Sequence, residues 1–163
     1  MNIEVEFNEI YNAHAQKVFR LCLGYASGDE ELAKEWQQET FIKVWNYRNS
    51  FQAKSAISTW IYRIAVNTCL GDLRKSKKNI RIDESYTGIN STVEEEEKRE
   101  SQITKMYKCI DKLTPGNKSI VLLELEDIPQ ATIAEMQGIA HGALRTRLSR
   151  IRNLLIKCIT NEK

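Results

Sequence analysis

Apolar residues recur at steps of three and four along most of this chain, so its elements read as helices. Phe7, Ile10, Tyr11, Ala15, Val18, Phe19 and Cys22 share that spacing and predict a first helix ending near Gly24. The turn Ala26-Ser27-Gly28-Asp29 follows, with Asp29 placed to cap the next helix through its carboxylate. That second helix should run to about Trp45 and bury a wide face of Leu32, Trp36, Phe41, Val44 and Trp45. Residues 47–58 are polar and loop-like. Ser58 or Thr59 is expected to cap a third helix from Trp60 to about Lys75, with Trp60, Ile61, Ile64, Ala65 and Thr68 turned inward.

From about Ser76 to Thr92 the periodicity stops, and Gly88 stands among Ser, Thr and Asn, so this stretch reads as a linker. Ser91-Thr92-Val93-Glu94 resembles a capping box, and the run Glu94 to Glu97 suits a helix N-terminus. The helix so opened should bury Ile103, Met106, Tyr107, Ile110 and Leu113 and end at Thr114-Pro115-Gly116-Asn117. Another is expected from about Lys118 to Glu126. Pro129 then stands as a first helical residue, where its missing amide costs nothing. Ile133, Ala134 and Met136 supply the inner side of a short helix, and Gly138 permits a positive-φ turn into the last one. There Leu144, Leu148, Ile151 and Leu155 form a single apolar stripe. The expected fold class is all-α: two small helical domains, 1–78 and 93–163, joined by a flexible acidic linker over 79–92.

Composition changes this picture little, but charge placement changes it a good deal. With 24 Lys and Arg against 22 Asp and Glu, the net charge is only +2, so the chain is no polycation. The charge is segregated: Arg74, Lys75, Lys77, Lys78 and Arg81 make one basic cluster, and no acidic residue occurs between Glu135 and Glu162. Cys22, Cys69, Cys109 and Cys158 are scattered, with no CxxC pair or Cys/His cluster. Neither a zinc site nor a disulfide framework is expected, and all four read as buried thiols of a reducing cytosol. The N-terminus lacks the basic and apolar regions of a signal peptide, and no apolar run approaches membrane-spanning length, so a cytoplasmic protein is expected.

Three faces carry candidate chemistry. Arg145, Arg147, Arg150 and Arg152 flank or oppose the stripe of the last helix, which could lie in a major groove with arginines on phosphates and guanine edges. On the third helix, Arg63, Asn67, Arg74 and Lys78 combine side chains suited to base edges with lysine for phosphates. On the second, Glu35, Gln38, Glu39 and Ile42 share a face that is polar except for one bare isoleucine. Glu35 and Glu39 have no partner base or metal-ligand set nearby in sequence, so an enzyme is not expected, nor a metal or cofactor. Trp45, Tyr47, Phe51, Trp60 and Tyr62 either fill the core or stack on unpaired bases, each such contact contributing roughly 1–3 kcal/mol. His14 and His141 read as surface or packing residues.

Two longer patterns resemble a known family. Ala33-Lys34-Glu35-Trp36-Gln37-Gln38-Glu39-Thr40-Phe41-Ile42-Lys43-Val44-Trp45, then Thr59-Trp60-Ile61-Tyr62-Arg63-Ile64-Ala65-Val66-Asn67 and Leu73-Arg74-Lys75, resemble sigma region 2. Ile133-Ala134-Glu135, Gly138-Ile139 and Gly142-Ala143-Leu144-Arg145-Thr146-Arg147-Leu148-Ser149-Arg150-Ile151-Arg152 resemble sigma region 4. In that order and spacing they are similar to a small RNA polymerase sigma factor of the sigma-70 family, in its extracytoplasmic-function (ECF, group 4) class.

The resemblance implies a non-catalytic protein that binds core RNA polymerase and gives it promoter recognition. Glu35, Gln38, Glu39 and Ile42 match the surface that docks on the β′ clamp helices, and the β flap would be a second polymerase contact. Residues 47–58, with Phe51, match the loop that captures a flipped base of the −10 element, and Arg63, Asn67, Arg74, Lys75 and Lys78 would complete that contact. The −35 element would be read by His141, Arg145, Thr146, Arg147 and Arg150. An anti-sigma factor is a further implied partner, and the free protein would be a monomer. Some positions depart from the pattern. Glu35 stands where the family often has Asp, and Gly71 replaces a frequent Asp beside Asp72. Pro129 and Ala140 occupy usual cap positions, so the last helix should begin with a weaker cap. The rival reading is a conventional helix-turn-helix regulator acting without polymerase, which accounts for residues 128–152 but not for the first half.

Overall fold

The computed structural model describes residues 3–51, 56–79 and 94–161, with side chains described for 6–51, 56–75 and 102–160. Among the described residues there are seven α-helices and no strand. Helices α1 (Ile3–Tyr25), α2 (Glu30–Asn46) and α3 (Ile57–Asn79) pack on one another as a first bundle, with a short 3₁₀ turn at Arg48–Ser50. Helices α4 (Glu94–Asp111), α5 (Pro115–Leu125), α6 (Gln130–Gln137) and α7 (His141–Asn161) form a second. Helix α3 continues to Asn79, past its expected end near Lys75 and into the expected start of the linker; residues 80–92 of that linker, residues 91–93 of the capping box and the tip of the loop at 52–55 lie outside the described residues.

Local chemistry sets most of the boundaries. The Asp29 carboxylate accepts the Leu32 amide at 3.2 Å, and Glu30 and Glu31 sit favourably in the first turn of α2. The first core comprises Val18, Leu21 and Cys22 of α1, Ala33, Trp36, Phe41 and Val44 of α2, and Ile61, Ala65 and Cys69 of α3. Two buried hydroxyls are satisfied within their own helices: Thr40 donates to the Trp36 carbonyl and Thr68 to the Ile64 carbonyl, each at 2.7 Å. Helix α3 begins earlier than expected. The Trp60 amide already bonds the Ala56 carbonyl, so Ser58 and Thr59 lie inside the first turn and cap nothing, and Thr59 is buried.

Thr114 to Asn117 opens a helix as well as separating two. Thr114 accepts the Asn117 amide at 3.3 Å, and Pro115 takes the first turn of α5, three residues before the expected start. Pro129 is the N-cap of α6 and not its first residue: its ψ of 140° is extended, and its carbonyl accepts the Ile133 amide. Gly138 is left-handed at φ 67°, and Ile139 closes the helix end on the Ala134 carbonyl at 3.0 Å. Leu144, Leu148 and Ile151 are fully buried and Leu155 half-buried, as the stripe predicts.

Two expectations fail in α4. Ile103 is 52% exposed, because residues 102–105 are all uncovered and the seam begins at Met106, continuing through Cys109 and Ile110. Cys109 and Cys158 are not free thiols. They form a disulfide between α4 and α7, whose packing brings their Cα atoms to 5.9 Å across 49 residues of sequence. Cys22 and Cys69 are buried thiols as expected, sulfur to sulfur at 3.6 Å between α1 and α3.

The bundles meet through α1 against α5 and α3 against α6. Tyr25 and Ser119 share a buried hydrogen bond, and burial raises the Tyr25 phenol above its ordinary value, keeping it neutral. Gly24 lets α1 approach Leu122, where a Cβ would come within 2.4 Å of a Leu122 methyl. Arg20 with Glu126, and Ser27 with Asp111, add polar ties at the rim.

Candidate functional site

The first surface lies on α2. Its inner face is fixed by Trp36, Phe41 and Val44, and Trp36 Nε1 donates to the Asp72 carboxylate of α3 at 2.8 Å. That anchoring turns Glu35, Gln38, Glu39 and Ile42 outward, all exposed, with Ile42 at 57%. Ile42 also edges a shallow apolar groove with Phe7 and Tyr11 of α1 and Phe41 and Trp45 of α2. Its floor is braced by edge-on ring pairs, Phe7 on Trp45 at 5.1 Å and Tyr11 on Phe41 at 4.8 Å. Sequence reasoning missed Phe7 and Tyr11 as part of this surface, since both belong to the apolar series of α1. The arrangement presents carboxylates and an amide around one apolar knob, which suits a protein partner and offers no buried acid–base pair.

The second surface lies at the end of α2 and along α3. Arg48 stacks over the Trp45 ring at 3.9 Å and donates to the Trp45 carbonyl, while Phe51 packs on Trp60 with centroids 5.4 Å apart. Trp45, Phe51 and Trp60 are half-buried by these contacts, whereas Tyr47 is exposed. Asn67, Arg74 and Lys75 are exposed on α3. Arg63 is half-buried and turned toward the second bundle, 3.9 Å from the Glu135 carboxylate and 3.4 Å from its carbonyl. The Lys78 side chain lies outside the described residues.

The third surface is the outer side of α7. His141, Arg145, Thr146 and Arg150 are exposed, and the fully buried Leu144, Leu148 and Ile151 fix the direction they face. Among the described residues neither Arg145 nor Arg150 has an ion pair. Arg147 differs: it is half-buried and donates twice to Asn117 Oδ1 of α5, at 3.2 and 2.7 Å. Arg152 is paired with Glu124. The structure therefore separates arginines that open to solvent from those that hold α7 on α5. Farther along α7, Leu154, Ile156 and Ile159 are exposed and fall off the buried stripe. Sequence reasoning passed over them, although apolar residues off the stripe were their signal. Among the described residues no cluster of metal-ligating side chains occurs, and no helix is long and apolar enough to cross a membrane.

Known proteins with related sequences and folds match along nearly the whole chain. Residues 10–79 match the profile of Sigma-70 region 2, and residues 103–155 that of Sigma-70 region 4. The ECF RNA polymerase sigma-E factor of Haemophilus influenzae is 30% identical over 162 residues, covering 91% of this chain and 85% of its own. RNA polymerase sigma factor SigV of Bacillus subtilis is 28% identical over 150 residues, covering 91% and 88%. The fold is similar to that of the sigma factor RpoE of Bartonella quintana, solved with the anti-sigma factor NepR. Its TM-score is 0.72 at 17% identity, with 97% of this chain and 99% of that one covered. It is also similar to CnrH, solved with the cytosolic domain of CnrY, with a TM-score of 0.73 at 14% identity, covering 99% and 92%.

Proposed function

The chain belongs to the sigma-70 family, as a sigma factor of the ECF class, and we propose on that premise a division of labour among its three exposed surfaces. It binds core RNA polymerase and directs promoter-specific initiation, the work of a non-catalytic factor. The observation that carries this is the presence of both halves, region 2 and region 4, in order in one chain. A conventional helix-turn-helix regulator leaves the first half without a role.

At finer scale, Glu35, Gln38, Glu39 and Ile42 dock on the β′ clamp helices, with exposed Ile42 as the apolar contact. Phe51, Arg63, Asn67, Arg74, Lys75 and Lys78 serve the −10 element, the aromatics beside them receiving an unstacked base. His141, Arg145, Thr146 and Arg150 read the −35 element, and Arg147 supports α7 from behind through Asn117. The exposed Leu154, Ile156 and Ile159 suit an apolar contact with the β flap. We further propose region boundaries at 1–78 and 93–163, an anti-sigma partner covering both halves, and action in the cytoplasm with the polymerase. The test of docking is Ile42→Asp. At 57% exposure the change should leave the melting temperature unaltered while core polymerase retention falls at least tenfold; unchanged retention would move docking elsewhere.

A further inference from the structure

The chain holds two pairs of adjacent cysteines, and they are in different states. Cys22 and Cys69 face each other inside the first bundle, both wholly buried, and remain thiols. Their mutual hydrogen bond and their burial push the Cys69 thiol far up, so no thiolate forms there to react. Cys109 and Cys158 are joined across the seam of α4 and α7. Among the described residues α4 packs chiefly on α7, so the bond sits at the main contact that holds α4 to the second bundle. It also closes a loop of 49 residues containing α5, α6 and the exposed arginines of α7. A factor that works with RNA polymerase operates among reduced thiols, where disulfides that do form are usually transient and redox-sensing.

The two cysteines are unequally exposed. Cys109 is 2% exposed, while Cys158 is half-buried, between the exposed Ile156 and Ile159. We propose that Cys109–Cys158 is a reversible redox site of the promoter-reading half, opened by a dithiol that attacks at Cys158 and closed again by a low-molecular-weight disulfide. In the opening direction a dithiol's thiolate attacks Cys158 Sγ, the Cys109–Cys158 bond breaks, and Cys109 leaves as a thiolate and takes up a proton. The reductant's second thiol then displaces Cys158 from the mixed disulfide. The dithiol becomes a cyclic disulfide, and the protein gains two electrons and two protons. Closing with oxidised glutathione runs in reverse and releases two reduced glutathione molecules. The closed form clamps α4 to the last two turns of α7, and the open form leaves that junction to side-chain packing alone.

The experiment uses the full chain without polymerase, so its outcome is independent of the sigma assignment. The protein is equilibrated with oxidised glutathione, unfolded under acid quench, alkylated and weighed intact. Two alkyl groups are expected, on Cys22 and Cys69, rising to four after native incubation with dithiothreitol and returning to two when oxidised glutathione replaces it. Peptide mapping should place the bond at Cys109 and Cys158. The oxidised form should melt higher than the reduced form by about 10 °C. A Cys109→Ser/Cys158→Ser variant should melt like the reduced parent and ignore the redox buffer. Four alkylated thiols in the oxidised sample would overturn the proposal. So would a cross-linked dimer on a non-reducing gel, or a bond that survives native dithiothreitol.

Discussion

At the scale of single residues, the arginines of α7 show how far type and position can be read and where partners take over. The sequence marks Arg145, Arg147 and Arg150 alike as −35 candidates, and nothing in their spacing sets Arg147 apart. Only the approach of α5 does, because it brings Asn117 within bonding distance. Arg147→Ala should therefore cost about 1–2 kcal/mol in urea unfolding, the loss of two charge-assisted bonds in a half-buried place. Arg145→Ala and Arg150→Ala should stay within about 0.5 kcal/mol of the parent, yet weaken −35 binding severalfold or more. Equal unfolding curves for all three would remove the distinction. In the sequence His14 reads only as a surface or packing residue. Burial, and then Lys17, lower it from 6.5, and the Tyr62 hydroxyl lies 3.4 Å from its Nδ1. The fold favours neutral His14, so below 6.5 the unfolded chain binds more protons and stability declines toward the lowered value. Melts of His14→Gln and the parent at pH 7.5 and 5.5 should show the variant gaining relative to the parent at the lower pH. A gap that is the same at both would show that His14 carries none of the acid sensitivity.

At the scale of elements, the periodic segments were legible because burial repeats at the helical step. Asp29, Gly138 and the Leu144 stripe all stand where the pattern places them. The misplaced boundaries arise where residues flanking an apolar run fit a cap, a first turn or a stop equally well by type. Ser58 and Thr59 look like caps, but the chain had already entered α3 at Ile57. Thr114, read as part of a stop, is the cap that starts α5. Gly138 allows a sharper test of the helix-turn-helix. Its φ is 67°, and a Cβ there would meet nothing within 4 Å, so Gly138→Ala carries only the backbone penalty. The second bundle should lose about 1 kcal/mol in urea unfolding. A neutral substitution would mean that the turn relaxes without the left-handed conformation.

At the scale of the whole molecule, the all-α class and the two helical halves follow from the pattern, but their mutual packing does not. Gly24, Tyr25 and Ser119 sit in ordinary helical series, and no local rule says that α1 will close on α5. The disulfide was hidden for the same reason, because a separation of 49 positions leaves no spacing signal. The exposed Ile42 stands out in the sequence as a bare isoleucine on a polar face, and only the resemblance to sigma region 2 suggests a docking role for it. Arg63 belongs to this scale too, since it reaches from α3 across to Glu135 of α6, and the proposed −10 role would draw it away from that partner. That pair is partly open to solvent and loosely spaced, so it should yield readily when the halves engage a promoter. The most direct measurement of the central claim is run-off transcription by purified bacterial core polymerase on fragmented DNA from the chain's own genome, with and without the protein. Discrete new transcripts whose start sites share −10 and −35 sequences, and which disappear with Ile42→Asp, are predicted. Specific duplex binding by the free protein, with core polymerase neither bound nor initiating, would contradict the account.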